Sequence, residues 1–476
     1  MQALCILYGF DLIIIRRMKR VFLFVLTILL SVNSLIASDM SPEKEANGKV
    51  PFSIKAYPFR GMYLDKNTHY EKFGAINPAG VHMGIELPSR QQRPWQQYLG
   101  NPTVGLGVSW LDFGKSENPG AAKLGMGFAI YPYILLDAID TKYFQMRFKV
   151  AGGLGLVTEH WYTQEDQDPD HYYEIGVNSI FGSTLNAYLN AAINLNVPIT
   201  RYLALGGEFG YFHMSNGRTC MPNIGVNALY GSVGVTATFN SKEEKKPVQF
   251  PDQPYGWALN ITGSAGAQKA AIADPDRFLI SSLRVGALYH VNNWYGVGLG
   301  MDVFYNGAVT KNTDRTLYCR GEYDIDGKMV DCTTCGSEKG TDYSFGQKVR
   351  AGLALNNEFK FGLVTAIVDW GFYLYNPSRQ IYYDYHKDNY GQVAPKRPLF
   401  YKTPHGAGGE EAFHYIRLGA KCRVWDNLYL NVTMKCHLHI AEYIEFGVGY
   451  QIPFLKKDNR KDDSIVFHHR RNWWKN

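Results

Sequence analysis

In residues 442–454 every second side chain is apolar: Ile444, Phe446, Val448, Tyr450, Ile452 and Phe454 share one parity, against Glu445, Gly447, Gly449 and Gln451 on the other. A period of two is the period of a β-strand, whose successive side chains leave on opposite faces. Residues 411–424 repeat the pattern, with Ile416, Leu418, Ala420, Cys422 and Val424 opposite Arg417, Gly419, Lys421 and Arg423. Strand candidates fall near 52–63, 80–88, 103–114, 124–137, 143–158, 175–197, 202–215, 224–240, 254–268, 278–290, 294–308, 345–358, 362–376, 411–424, 427–438 and 442–454, about sixteen in all. Soluble sandwiches bury the apolar parity. A charged or glycine-rich inside with an apolar outside is the membrane-barrel pattern. The expected fold is therefore all-β, a transmembrane antiparallel outer-membrane β-barrel of about sixteen strands. The segment 241–253 divides the candidates eight and eight, so an eight-stranded barrel followed by a second eight-stranded β unit is the alternative.

The N-terminus supports export. Lys19 and Arg20 precede an apolar run from Val21 to Leu30, and small and polar residues follow to Ala37-Ser38. This is the order of a secretory signal, too short to be kept as a membrane helix. Residues 1–38 are read as the signal region with Met18 as the true start, because the signal is complete from that methionine onward. No later apolar run is long enough for a spanning helix, and 33 tyrosines among 14% aromatics suit the girdles of a barrel. The net charge of +6 is spread along the chain apart from a basic tail, which argues against nucleic acid as a partner. The organisation expected is a first barrel half over 50–240, a second over 254–454 and a mobile tail over 455–476.

Connection lengths set the sidedness. With a periplasmic N-terminus, the tight turns Asp140-Thr141-Lys142, Pro198-Ile199-Thr200, Asn292-Asn293 and Asp426-Asn427 fall on the periplasmic side. The long connections near 64–79, 159–173, 309–344 and 377–410 fall outside, as this class requires. Linkers near 89–102 and 241–253 are the exceptions. Cys220, Cys319, Cys332 and Cys335 lie in the external connections, where disulfides are allowed, and Cys422 and Cys436 fall on the lipid-facing parity. Cys332-x-x-Cys335 lacks a second ligand pair, so a metal is not expected.

Chemistry concentrates in residues 202–217. Leu203, Leu205, Phe209 and Tyr211 form the apolar parity of a strand whose other face carries Tyr202, Ala204, Gly206, Glu208 and Gly210. His213 and Ser215 continue the apolar set, which puts a base and a nucleophile side by side on the lipid-facing side, level with the outer leaflet. The plainer reading of the pair is two polar residues where a strand meets water. Elsewhere, Arg284, Asp302, Arg350, Asp369, Arg417, Lys421, Lys435, His437 and Glu445 point inward and are expected to form ion pairs in the lumen. The glycine runs at 152–155 and 296–300 precede no helix, so they read as inward strand glycines rather than phosphate loops.

His213-Met214-Ser215-Asn216-Gly217, a strand end followed by a polar loop and another strand, resembles the active-site signature of outer-membrane lipid A 3-O-deacylases. The closer likeness is to the longer, two-part acyloxyacyl hydrolases, whose closing segment resembles Lys435–Tyr450. The resemblance implies a serine esterase of the outer membrane that removes an acyl chain from lipid A. Ser215 would be the nucleophile and His213 the base, and the oxyanion hole would lie at Asn216 and Arg218, where the family has Gly at the second position. The third catalytic position, a Glu in the family, is Asn227 here; it shares the parity of Leu229, Val233, Val235, Ala237 and Phe239. An amide can hold the tautomer of His213 but lends no charge to an imidazolium. No cofactor or metal is implied, and the partner is lipid A in the outer leaflet. A pore or a passive structural barrel is the rival reading; it needs a lumen wide enough for water.

Overall fold

The computed structural model describes residues 51–64, 77–89, 95–96, 99–114, 124–160, 178, 180–220, 223–240, 256–269, 277–292, 294–309, 321–323, 329–332, 343–377, 413–425, 427–437 and 440–454. The signal region, the linker 241–253, the tail and most of the long external connections, with Cys319 and Cys335, lie outside the described residues.

Eight strands form the first sheet: β1 (Phe52–Tyr63), β2 (Ala79–Pro88), β3 (Thr103–Asp112), β4 (Met126–Asp140), β5 (Gln145–Val157), β6 (Leu185–Pro198), β7 (Leu203–Ser215) and β8 (Val226–Phe239). Each pairs antiparallel with the next, and β8 returns to β1 with Phe52 opposite Phe239, which closes the barrel. The second sheet contains β9 (Gly256–Gln268), β10 (Phe278–His290), β11 (Tyr295–Asn306), β14 (Val349–Phe361), β15 (Val364–Tyr375), β16 (His414–Arg423), β17 (Leu428–His437) and β18 (Ile440–Pro453). It closes through β18 and β9, with Val448 opposite Gly263. Between β11 and β14 lie the short hairpin β12 (Gly321–Tyr323) and β13 (Met329–Cys332) and one helical turn, α1 (Phe345–Lys348). The hairpin has no counterpart among the strands read from alternation, since strands of three and four residues are too short to show a period. The protein is thus two closed eight-stranded barrels, the arrangement carried above as the alternative to a single ring of sixteen.

Side-chain polarity is inverted relative to a soluble barrel. Outward residues such as Phe209, Val233, Leu299 and Phe446 are 60–67% exposed, whereas Glu208, between Gly207 and Phe209 on β7, is 3% exposed. Inside the first barrel Lys55 bridges Glu86 at 2.9 Å and Glu208 at 2.8 Å, and Lys149 meets the other oxygen of Glu208 at 2.9 Å. Toward the Ser215 end of β7 the interior becomes apolar, built from Phe59, Leu111, Phe113, Phe181, Phe212 and Met214. The second barrel encloses Arg284–Asp369 at 2.8 Å, Arg417–Asp302 at 2.9 Å, Lys421–Glu358 at 2.6 Å and Lys435–Glu442 at 2.7 Å, with Arg350 also on Glu442. Eight strands leave an interior that side chains fill. Among the described residues, inward side chains meet across both lumens and leave no wide aqueous path of the kind the pore reading needs.

The tight turns are closed by their own polar side chains. Thr141 Oγ1 accepts the N–H of Phe144, Thr200 Oγ1 accepts those of Tyr202 and Leu203, and Asn292 Oδ1 accepts those of Trp294 and Tyr295. Cys422 is exposed on the outer surface, whereas Cys436, opposite Ile416 on β16 and beside a register shift between β17 and β18, is buried.

Candidate active site

Strands β7 and β8 pair in a register that sets His213 directly opposite Asn227 and Met214 opposite Val226. The side chains on one face of such a pair lie within hydrogen-bond reach. His213 Nδ1 is 2.8 Å from Asn227 Oδ1, and His213 Nε2 is 2.8 Å from Ser215 Oγ. The Tyr211 hydroxyl also donates to Asn227 Oδ1, at 2.6 Å. Because Oδ1 can only accept, Nδ1 carries the imidazole proton, and Nε2 of the neutral ring is left to accept from the Ser215 hydroxyl. A neutral histidine oriented in this way can take a proton from serine. In the sequence Tyr211 reads only as a member of the strand's apolar parity; its place two residues before His213, on the same face, is the available signal for its hydroxyl.

Past Ser215 the ladder ends and a tight turn begins. Thr219 N–H donates to the Asn216 carbonyl at 3.3 Å, across Gly217 at φ +59° and Arg218 at φ +62°. Two successive left-handed residues make the mirror-image turn for which glycine is suited, and Arg218 adopts that conformation against its ordinary preference. The two oxyanion positions therefore lie at the entry and in the middle of a turn. The Asn216 N–H donates to Asn223 Oδ1 at 3.0 Å, and its side-chain amide donates to Ser183 Oγ at 3.0 Å. An oxyanion that uses the Asn216 N–H has to displace Asn223 Oδ1. Asn223 comes from a connection, and Ser183, which falls within the expected strand 175–197, precedes β6, which begins only at Leu185; alternation gave no sign of either contact.

Ser215 is 2% exposed and so does not sit at an open rim; His213 is half-buried. The cover comes from the return into β8. Gly225, at φ +71°, runs so close that a Cβ there would lie 2.8 Å from Ser215 Cβ. Its N–H donates to the Ile180 carbonyl at 2.9 Å, which ties the segment before β6 to the same corner. Cys220 is a buried free thiol that accepts from Arg277 Nη2 at 3.0 Å. Among the described residues no group of His, Cys, Asp and Glu side chains gathers as a metal site.

Residues 79–236, which contain His213, Ser215 and Asn227, match the family profile of lipid A 3-O-deacylase. Residues 257–392 and 400–455 match the profile of the acyloxyacyl hydrolase C-terminal domain. The chain belongs to the lipid A 3-O-deacylase and acyloxyacyl hydrolase family. The first profile takes in β2 to β8 except the last three residues of β8, and the second takes in the whole of the second barrel except the first residue of β9.

Solved structures similar to the chain include the P. putida toluene transporter TodX, at 9% identity over 87% of this chain and 91% of that one, with a TM-score of 0.15. The NanC porin is similar at 7% identity over 85% and 99%, with a TM-score of 0.14. A Rhodopseudomonas blastica porin triple mutant is similar at 8% over 84% and 100%, also at 0.14. Scores this low carry no argument. A search of curated proteins finds no match.

Proposed function

We propose that the protein is an outer-membrane serine esterase that removes an acyl chain from lipid A. The single observation that carries this reading is the continuous line Ser215 Oγ, His213 Nε2, His213 Nδ1, Asn227 Oδ1, with both links at 2.8 Å, on a barrel whose outer surface is apolar. A lipid ester reaches such a site from the outer leaflet, and lipid A is the family's substrate. The apolar belt holds the protein in the membrane where that substrate lies.

In the reaction, Ser215 Oγ attacks the acyl carbonyl while His213 Nε2 takes the hydroxyl proton. The carbonyl π bond opens, and its oxygen carries the negative charge of the tetrahedral intermediate. Collapse breaks the bond to the ester's alkoxy oxygen, which receives the proton from His213 and leaves as a hydroxyl. Water, deprotonated by the same histidine, then releases the fatty acid from Ser215. Asn227 orients the imidazole throughout, and Tyr211 fixes Asn227. The main-chain N–H groups of Asn216 and Arg218 are the proposed oxyanion donors, the first after release from Asn223. Since Ser215 is covered by the Gly225 segment, the acyl ester must push that segment aside before attack.

Mass analysis of lipid A tests the proposal. Membranes with the protein should yield lipid A lighter by one acyl chain. Ser215→Ala should restore the full mass while leaving the heat-modifiable mobility of an intact barrel unchanged. Lipid A of full mass in the presence of folded wild-type protein overturns the esterase reading.

A further inference from the structure

The turn that follows Ser215 touches the second barrel at three points. Arg277, immediately before β10, donates through Nη2 to Cys220 Sγ at 3.0 Å. The main-chain N–H of Lys269, immediately after β9, donates to the Arg218 carbonyl at 3.2 Å. Ile444, on β18, packs against Gly217 so closely that a Cβ on the glycine would lie 2.5 Å from Ile444 Cγ1. The contacts come from three different parts of the second barrel and fall on three different residues of one five-residue turn.

The turn has particular need of such support. Its ladder ends at Ser215, whose partner on β6 is Ala187, while the β7–β8 pairing already stops at Met214 and Val226. Beyond that point the backbone takes two left-handed residues in succession, one of them an arginine, a conformation that persists only where surroundings hold it. Asn216 lies between the nucleophile and these strained residues. A rotation of the turn tilts the Asn216 peptide and with it the N–H aimed at the oxyanion position.

We infer that the second barrel positions the esterase site of the first: its rim, through Arg277, Lys269 and Ile444, clamps the turn 216–220 in the shape that aligns Ser215 and the Asn216 N–H. This rests on the esterase reading above. Arg277 and Ile444 are positioning residues that do not touch the reacting atoms.

The test uses the full-length protein in detergent with lipid A in mixed micelles. Arg277→Met and Ile444→Ala should each lower kcat by about tenfold with KM changed less than about twofold, since a misaligned nucleophile costs rate rather than binding. Arg277→Lys, which keeps a charged donor, should recover part of the loss. Gly217→Ala should be impaired both by its left-handed φ of +59° and by the clash with Ile444, and adding Ile444→Ala should recover the part due to the clash. Heat-modifiable mobility keeps unfolding apart from misalignment. A second readout does not depend on activity: maleimide labelling of Cys220, quantified on its peptide, should accelerate in Arg277→Met. Unchanged kcat in folded Arg277→Met and Ile444→Ala, or unchanged Cys220 labelling, overturns the inference. Wild-type protein without activity defeats the esterase reading instead, and the labelling rate then still decides whether the second barrel holds the turn.

Discussion

Replacing Asn227 by glutamate should speed the reaction. The amide oxygen of Asn227 lies 2.8 Å from His213 Nδ1, opposite it in the β7–β8 register, so a carboxylate there would face the imidazolium as it forms. In the serine-protease template, neutralising the orienting acid costs roughly 10⁴ in rate, equivalent to about 5.5 kcal/mol. That figure is an upper limit for the gain in this site, for two reasons. Part of the template's loss comes from the wrong imidazole tautomer, whereas Asn227 already accepts from Nδ1 and holds the productive one. Glutamate is also one methylene longer, and Tyr211, which donates to the present amide at 2.6 Å, would share the new charge. What remains is the charge itself, so turnover should rise about ten- to a thousandfold, or roughly 1.4–4 kcal/mol of transition-state stabilisation. The assay is the initial rate of fatty-acid release from lipid A in mixed micelles, at equal amounts of heat-modifiable, folded protein. A rate equal to or below the wild type's would refute the reasoning, because it would mean that no charge is missing at this position.

Three further outcomes follow from the same geometry. His213→Ala should abolish deacylation as fully as Ser215→Ala, and the double variant should be scarcely slower than either single one in the same release assay, because the pair acts as a unit. Glu208→Ala should leave Lys55 and Lys149 buried without their shared carboxylate, a loss of about 3–5 kcal/mol, visible as a lower temperature for the heat-modifiable shift; an unchanged transition would show that the lumen tolerates both cations. N-terminal sequencing of the outer-membrane form should begin close to Ser38 or Asp39, and a mature chain that still carries Met1–Arg17 would defeat the assignment of Met18 as the start.

Period-two alternation by itself carried the strands and their faces. Each β-residue has only two directions for its side chain, so Phe446, Val448 and Tyr450 declare the outer surface and Glu445 the lumen without any knowledge of neighbours. The His213–Ser215 spacing was legible for the same reason, and strand parity put Asn227 on their face. Closure was not. Alternation states which way a strand faces but not which strand it bonds, and a ring of sixteen and two rings of eight demand the same pattern; only the pairing of Phe52 with Phe239 and of Val448 with Gly263 decides between them. The buried inward residues also owe their partners to closure, since Lys55 and Glu208 are 153 positions apart and meet across a lumen. Around the site, the contacts beyond strand parity were beyond sequence reasoning. Asn223 and Arg277 lie on connections, whereas Ser183 and Gly225 fall within the expected strands 175–197 and 224–240 but outside β6 and β8, so strand parity says nothing of what they touch.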